Sequence, residues 1–338
     1  MQPDVKPGPE LSVVVPIFNE AQNLRPLLDR LVPALEGCVQ SFEIVFVNDG
    51  SRDDSVEILR KAHDRDPRLR LLSFSRNFGK EIAIAAGLDH ADGAAVVIMD
   101  ADLQHPPEMI PAFVEKWREG YQNVYGQRVD RSADTPLRRA LTRRFYHIFG
   151  RIGETDLPEG AGDFRLLDAQ AVAALRTMRE HARFSKGLYA WIGFRSVGVP
   201  FEVGARAAGQ SKFSYRKLVH FALDGIMSFT TAPLRIWTYA GLIVSAFAMA
   251  MASFYLLRTL IFGVDVPGYA SLMVSLAFFS GVQLVSLGVL GEYVGRIFAE
   301  VKRRPLYLIE ERIGLDARGD AVSVRRPADA AAPRPDVA

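Results

Sequence analysis

Two carboxylates one residue apart, Asp100 and Asp102, close the apolar run Val96–Met99, and Gln104, His105 and two prolines follow at once. A buried strand ending in paired carboxylates can hold a hard divalent cation such as Mg²⁺ or Mn²⁺ through oxygen. Such a cation neutralises a diphosphate and stabilises it as a leaving group. The pair alone is weak, because Asp-x-Asp is frequent by chance and a solvated loop is the bland alternative. Its company strengthens it. "VVVPIFNE" (Val13–Glu20), "VNDGSRDDS" (Val47–Ser55) and "MDADLQHPPE" (Met99–Glu108) each set polar residues directly after an apolar run.

The elements that must position these residues are readable. "LSVVVPIF", "FEIVFVND", "LRLLSFSR" and "AAVVIMDAD" read as four strands, separated by helices over "EAQNLRPLLDRLVPALEG", "VEILRKAHDRD" and "KEIAIAAGLDHA". In the first helix Leu24, Leu27, Leu28, Leu31 and Leu35 recur at helical spacing. Continuous apolar strands alternating with helices predict a mostly parallel sheet covered on both faces. Ligands of such sheets bind beyond the carboxyl ends of the strands, where Asn19, Glu20, Asp49, Asp100 and Asp102 all fall.

The 338 residues carry a formal net charge of +2, which gives no basic excess for nucleic acid. The single cysteine, Cys38, permits no internal disulfide and has no ligand-spaced partners. Residues 1–10 show neither a basic nor an apolar leader pattern and, being rich in Pro and Gly, are expected to be disordered. The same is expected after residue 314, within a cytoplasmic tail from 299 to 338. A catalytic domain is expected over 11–212.

Apolar residues concentrate between Ile236 and Phe298. Two uncharged runs, Ile236–Leu257 and Tyr269–Gly291, predict two spans, about 236–260 and 269–295, each long enough to cross a hydrocarbon core of roughly 30 Å. Arg216, Lys217 and Arg235 precede them and Arg296, Lys302, Arg303 and Arg304 follow, which places both ends and the N-terminal domain in the cytoplasm. Between domain and spans, residues 213–235 carry Leu218, Phe221, Ala222, Gly225 and Phe229 at helical spacing, suited to helices in the membrane interface. Gly281, Gly288, Gly291 and Gly295 form a small-residue face for the helical hairpin or for a homo-oligomer, the expected assembly.

Taken together, "VPIFNE", "VNDGS", "SRNFGKEIAIAAGL", "MDADLQHPPE", "GAGDFRL" and "GQSKFS" resemble the inverting glycosyltransferases of family 2. More narrowly they resemble the polyprenyl-phosphate glycosyltransferases, including dolichol-phosphate mannose synthase and the bactoprenol glucosyltransferases, over about Leu11 to Glu310. The resemblance implies an α/β, Rossmann-like nucleotide-diphospho-sugar transferase (GT-A) domain with a mostly parallel sheet. The two spans match the bacterial two-helix subgroup. It implies a nucleotide-sugar site from Pro16, Phe18, Glu20, Val47, Asp49, Asp100, Ala101 and Asp102, and a Mg²⁺ or Mn²⁺ site from Asp100, Asp102 and Gln104. Asp163 matches the candidate catalytic base, with Asp102 as its metal-bearing partner in catalysis. A lipid phosphate acceptor must be held in line with the leaving diphosphate, which calls for cations. Arg128, Arg139 within the cluster Arg138, Arg139, Arg143 and Arg144, Arg206 and Lys212 supply them. Lys80 is placed to meet an anion at a helix start, and Arg165 to support Asp163 or a phosphate.

The function this implies is transfer of a hexose, glucose from UDP-glucose as first choice, to undecaprenyl or a similar polyprenyl phosphate at a bacterial inner membrane. GDP-mannose and UDP-amino sugars are the alternative donors. A non-catalytic membrane scaffold that kept the fold is the alternative of another class. A processive synthase is disfavoured because no Gln-x-x-Arg-Trp sequence occurs.

Overall fold

The computed structural model of the protein describes residues 8–128, 160–181, 183–201, 232–262 and 268–315. The expected alternation is present. β1 (Leu11–Ile17), α1 (Ala21–Glu36), β2 (Phe42–Asn48), α2 (Ser55–Arg65), β3 (Leu69–Phe74), α3 (Lys80–His90) and β4 (Ala95–Ile98) follow in order. After a short 3₁₀ turn at Pro107–Met109 come α4 (Ile110–Arg118), β5 (Asn123–Arg128), β6 (Ala161–Asp168), α5 (Ala169–Thr177), α6 (Ser185–Trp191) and β7 (Ser196–Phe201). Two long helices, α7 (Ala232–Phe262) and α8 (Tyr269–Val301), and a last strand, β8 (Ile309–Ile313), complete the described chain.

The sheet has the order β7-β5-β6-β4-β1-β2-β3-β8. β1 pairs in parallel with both β2 and β4, and β2 with β3. The chain therefore winds outward from β1 in both directions, and the crevice between the carboxyl ends of β1 and β4 is a topological switch point. Strands β6 and β8 run antiparallel to their neighbours.

Alternation along the strands fills both faces. Val13, Val15 and Ile17 of β1 pack with Leu24, Leu27, Leu31 and Leu35 of α1 and with Phe113 of α4. Val14 faces the other way, onto Ile84 and Leu88 of α3. That helix lies so close that a Cβ on Gly87 would come within 2.2 Å of Val14 Cγ1, so only glycine fits there.

The N-terminal expectation is corrected at its edge. Pro9 and Glu10 are ordered: their carbonyls accept from Ala94 and Ala95, and the Glu10 carboxylate binds Arg118 at 2.7 Å. The tail beyond α8 carries a strand that seals the β3 edge, an outcome that unpaired strand edges favour.

Among the described residues one stretch, Phe278–Val301 in α8, is long and apolar enough to cross a membrane, with mean hydropathy 1.2 and none of it buried. α7 contributes the shorter apolar stretch Trp237–Met251. Among the described residues, no atom lies within 4 Å of a Cβ placed on Gly281, Gly288, Gly291 or Gly295. The expected interfacial segment lies outside the described residues except at 232–235, which belong to α7.

Candidate active site

The loops after β1 and β2 are stitched into one wall. Asn19 N–H donates to Ser51 Oγ, Glu20 N–H to Ser55 Oγ and Ala21 N–H to Asp53 Oδ2, while Asn19 Oδ1 accepts from Arg52 N–H. Asn19 adopts the left-handed region (φ 57°), where asparagine is tolerated better than most residues. Phe18, 38% exposed, presents its ring at this rim beside Pro16. Glu20 does not cap α1; its carboxylate accepts from Asn23 Nδ2 at 2.6 Å. The side chains of Val47 and Ala101 are packed in the core, Val47 among Val45, Leu72 and Phe74, so only their main chain could meet a ligand.

Asp49 connects this wall to α3. Its Oδ1 accepts from Phe78 N–H at 2.6 Å and its Oδ2 from Gly79 N–H at 3.0 Å. Burial pushes its pKa up even though these amides favour the anion. Gly50 is left-handed (φ 74°), and a Cβ there would meet Arg76 and Asn77 backbone atoms at 2.8 Å. The turn and the "SRNFGK" loop are thereby pressed together, and Gly79 delivers the next residue, Lys80, into the crevice.

The aspartate turn forms the facing wall. Asp102 Oδ1 accepts from Gln104 N–H at 3.1 Å, and Leu103 is held left-handed (φ 60°), an unfavourable conformation for a bulky residue. His105 Nδ1 accepts from Asp100 N–H at 3.2 Å, which puts the ring proton on Nε2. Its ring stacks on Phe164 at 4.9 Å, and burial lowers its pKa, so it backs the turn as a neutral imidazole.

Lys80 joins the two walls. Its Nζ lies 2.7 Å from Asp100 Oδ1 and 2.9 Å from Asp163 Oδ2. Burial alone would lower the ammonium pKa, but Asp163 and Asp100 outweigh it and hold it well above the ordinary lysine value. Asp163 sits on β6, 14% exposed, one strand away from the aspartate turn. Burial would raise its pKa, yet Lys80, Lys186 and Arg165 together keep it well below the carboxylate range. Its Oδ1 is buried with no hydrogen-bond partner among the described residues. Behind it, Arg165 lies over the Tyr189 ring at 3.7 Å and donates to Gly162 O and Asn123 Oδ1. Burial lowers the pKa of that guanidinium. Glu81 accepts from the Ser185 hydroxyl, and burial raises its pKa.

The crevice thus brings together Phe18, Glu20, Asp100, Asp102, Gln104 and Asp163, with Arg128 at the end of β5 nearby in the sheet. Arg138, Arg139, Arg143, Arg144, Arg206 and Lys212 lie outside the described residues. Glu81, Ser185 and Tyr189 were not anticipated. The available signal was Lys80-Glu81, two charges opening a helix whose other residues are almost all apolar or small.

Asp100, Asp102 and the Gln104 amide offer hard oxygen donors at an open crevice, the chemistry Mg²⁺ and Mn²⁺ prefer. Among the described residues no three or more His, Cys, Asp or Glu side chains cluster tightly enough to hold a metal unaided. The residues therefore fit a cation whose shell is completed by a ligand's phosphate oxygens and water, not a closed protein cage.

A fold wound outward from β1, with carboxylates gathered at its switch point, has the layout of an α/β enzyme whose ligand binds at the strand ends. The Glycosyl transferase family 2 profile matches residues 12–176. This chain is 49% identical over 307 residues to an uncharacterised glycosyltransferase of Synechocystis, covering 91% of this chain and 96% of the relative. It is 44% identical over 302 residues to the bactoprenol glucosyl transferase of Shigella phage SfII, covering 89% and 98%. The protein belongs to glycosyltransferase family 2 and is a glycosyltransferase. A mannosyltransferase structure from Pyrobaculum calidifontis with GDP-Man and Mn²⁺ overlaps 84% of this chain and 86% of its own, at 20% identity and a TM-score of 0.46.

Proposed function

We propose that this enzyme transfers a hexose, with inversion, from a nucleotide diphosphate sugar to a polyprenyl phosphate at the cytoplasmic face of a membrane. UDP-glucose is the first choice of donor and undecaprenyl phosphate of acceptor. The observation that carries this reading is the meeting of Asp100 and Asp163 on Lys80 at the β1/β4 crevice, in a chain 44% identical to a bactoprenol glucosyl transferase.

In this reading Phe18 and Pro16 flank the base, and the Asn19–Glu20 and Asp49–Ser51 turns line the ribose side. Asp100, Asp102 and Gln104 would hold Mg²⁺ or Mn²⁺, which supplies charge neutralisation of the departing diphosphate. The acceptor phosphate is anionic near neutral pH and needs alignment more than deprotonation. Arg128, with Arg139, Arg206 and Lys212, provides its cationic grip. Asp163, kept ionised by Lys80, is a poor proton acceptor; it holds Lys80 in place beside the acceptor phosphate.

Supply of the acceptor follows from the two long helices. Exposed Leu242, Ile243, Phe247, Leu284 and Ile297 would leave a large apolar surface in water, at about 25 cal/mol per Å². A two-helix hairpin in the bilayer removes that cost and brings the crevice to the lipid headgroups. The experiment is transfer from labelled UDP-glucose, GDP-mannose and a UDP-amino sugar into undecaprenyl phosphate, with Mg²⁺, Mn²⁺ or EDTA. Label in the organic phase from UDP-glucose, lost with EDTA, is expected. No lipid-linked label from any donor overturns the reading.

A further inference from the structure

The Lys80 ammonium lies 2.7 Å from an oxygen of Asp100, a carboxylate assigned above to the divalent cation. A lysine and a metal ion compete for such an oxygen, because both are cations and repel when close. We propose that Lys80 is a resident counter-ion that keeps the aspartate pair from loading a divalent cation until a diphosphate arrives. This rests on the reading of Asp100 and Asp102 as the metal site.

The geometry makes Lys80 more than a surface charge. It is the first residue of α3, and Asp49 anchors the preceding Phe78 and Gly79 amides, so its backbone is fixed. Although 42% of its side-chain surface is open, its ammonium is claimed from both sides, by Asp100 and by Asp163 at 2.9 Å. Without a ligand, Lys80 thus already supplies one positive charge shared by these two carboxylates. A divalent cation arriving alone must share Asp100 with Lys80. A diphosphate arriving with the cation brings negative charge that offsets both. Cation and donor then load together, and Lys80 gains a phosphate partner while still holding Asp163. Lys80 is a positioning residue for Asp163 in this scheme and sets the order of loading.

The test is Mn²⁺ binding by the full-length protein in detergent, read by the electron paramagnetic resonance signal of free Mn²⁺, with and without UDP. The variants are Lys80→Met, Lys80→Gln, Lys80→Arg and Asp102→Ala, each checked for native circular dichroism. Wild type should bind Mn²⁺ weakly alone and at least about tenfold more tightly with UDP. Met and Gln should tighten binding of Mn²⁺ alone by at least about tenfold and shrink the UDP effect; Arg should behave as wild type. Unchanged or weaker Mn²⁺ binding in both neutral variants overturns the role of Lys80 alone, provided Asp102→Ala still abolishes binding. Undiminished Mn²⁺ binding in Asp102→Ala overturns the metal-site reading and the proposal with it. Two variants of different polarity keep the question open to refutation if one fails to fold.

Discussion

The Tyr307 hydroxyl donates a 2.9 Å hydrogen bond to Asp89, fastening the segment after α8 to the last turn of α3, the helix whose first turn carries Lys80. The Tyr307 ring also stacks on Phe74 at 5.1 Å, and β8 continues from it along the β3 edge. Tyr307→Phe keeps the stacking and loses one bond, and should cost about 1 kcal/mol. Tyr307→Ala empties a core position and should cost about 3–5 kcal/mol, visible as a lower midpoint of thermal unfolding of the purified protein. Equal melting of both variants and wild type would show that the strap does not support the catalytic domain.

Asp102→Ala should reduce metal-dependent transfer by at least about a hundredfold, because the cation loses a carboxylate and the diphosphate its neutralising charge. The Asp102 carboxylate accepts from Gln104 N–H within a partly exposed turn, and membrane retention should stay near wild type. Measured with labelled UDP-glucose, full activity in this variant would remove Asp102 from the metal site.

How far the sequence anticipates this arrangement depends on range. The first seven elements were legible because each apolar run ends in residues that cannot be buried unpaired, such as Asn19, Asp49 and Asp100. Gathering at one crevice was legible too, since parallel βαβ winding puts successive strand ends on one side. The partnership of Lys80 with Asp100 and Asp163 was not. It joins residues 20 and 83 positions apart, and Asp163 arrives on an antiparallel strand that no periodicity assigns to the β4 edge. Val47 and Ala101 show a related limit: a motif marks positions near a ligand without saying which side chains face the core. Strand β8 was hidden because "IEERI" is short and three of its five residues are charged, and the β3 edge gives it a place.

Asp163 makes a prediction about pH. Its folded pKa is depressed, so its ionised form is favoured in the native state. That contribution to stability is complete above the ordinary aspartate value of about 4 and is lost as pH falls below it toward the lower folded value. Across pH 5–9 Asp163 therefore does not titrate, and it contributes no acid limb to the rate. An acid limb near pH 6 should instead follow the second ionisation of the acceptor phosphate, which lies at about 6. Asp163→Asn should lower kcat while leaving the midpoint of that limb in kcat/KM unmoved. A limb that disappears in Asp163→Asn would make Asp163 the titrating base after all.

Asp49 offers a way to separate scaffold from ligand contact. Its carboxylate is spent on Phe78 and Gly79 amides, which fix the approach of Lys80 to the crevice. Asp49→Ala leaves two amide donors unpaired beside a buried space and should cost about 1–3 kcal/mol. Asp49→Asn retains one acceptor oxygen of the same shape and should cost less. If the anchoring governs Lys80, kcat should fall with stability across the two variants, more in Ala than in Asn. A pure base or ribose contact predicts another pattern: a raised KM for the nucleotide sugar, with the melting temperature and kcat unchanged. Melting curves together with donor-saturation kinetics on both variants distinguish the two, and the geometry of the Phe78–Gly79 amides favours the first.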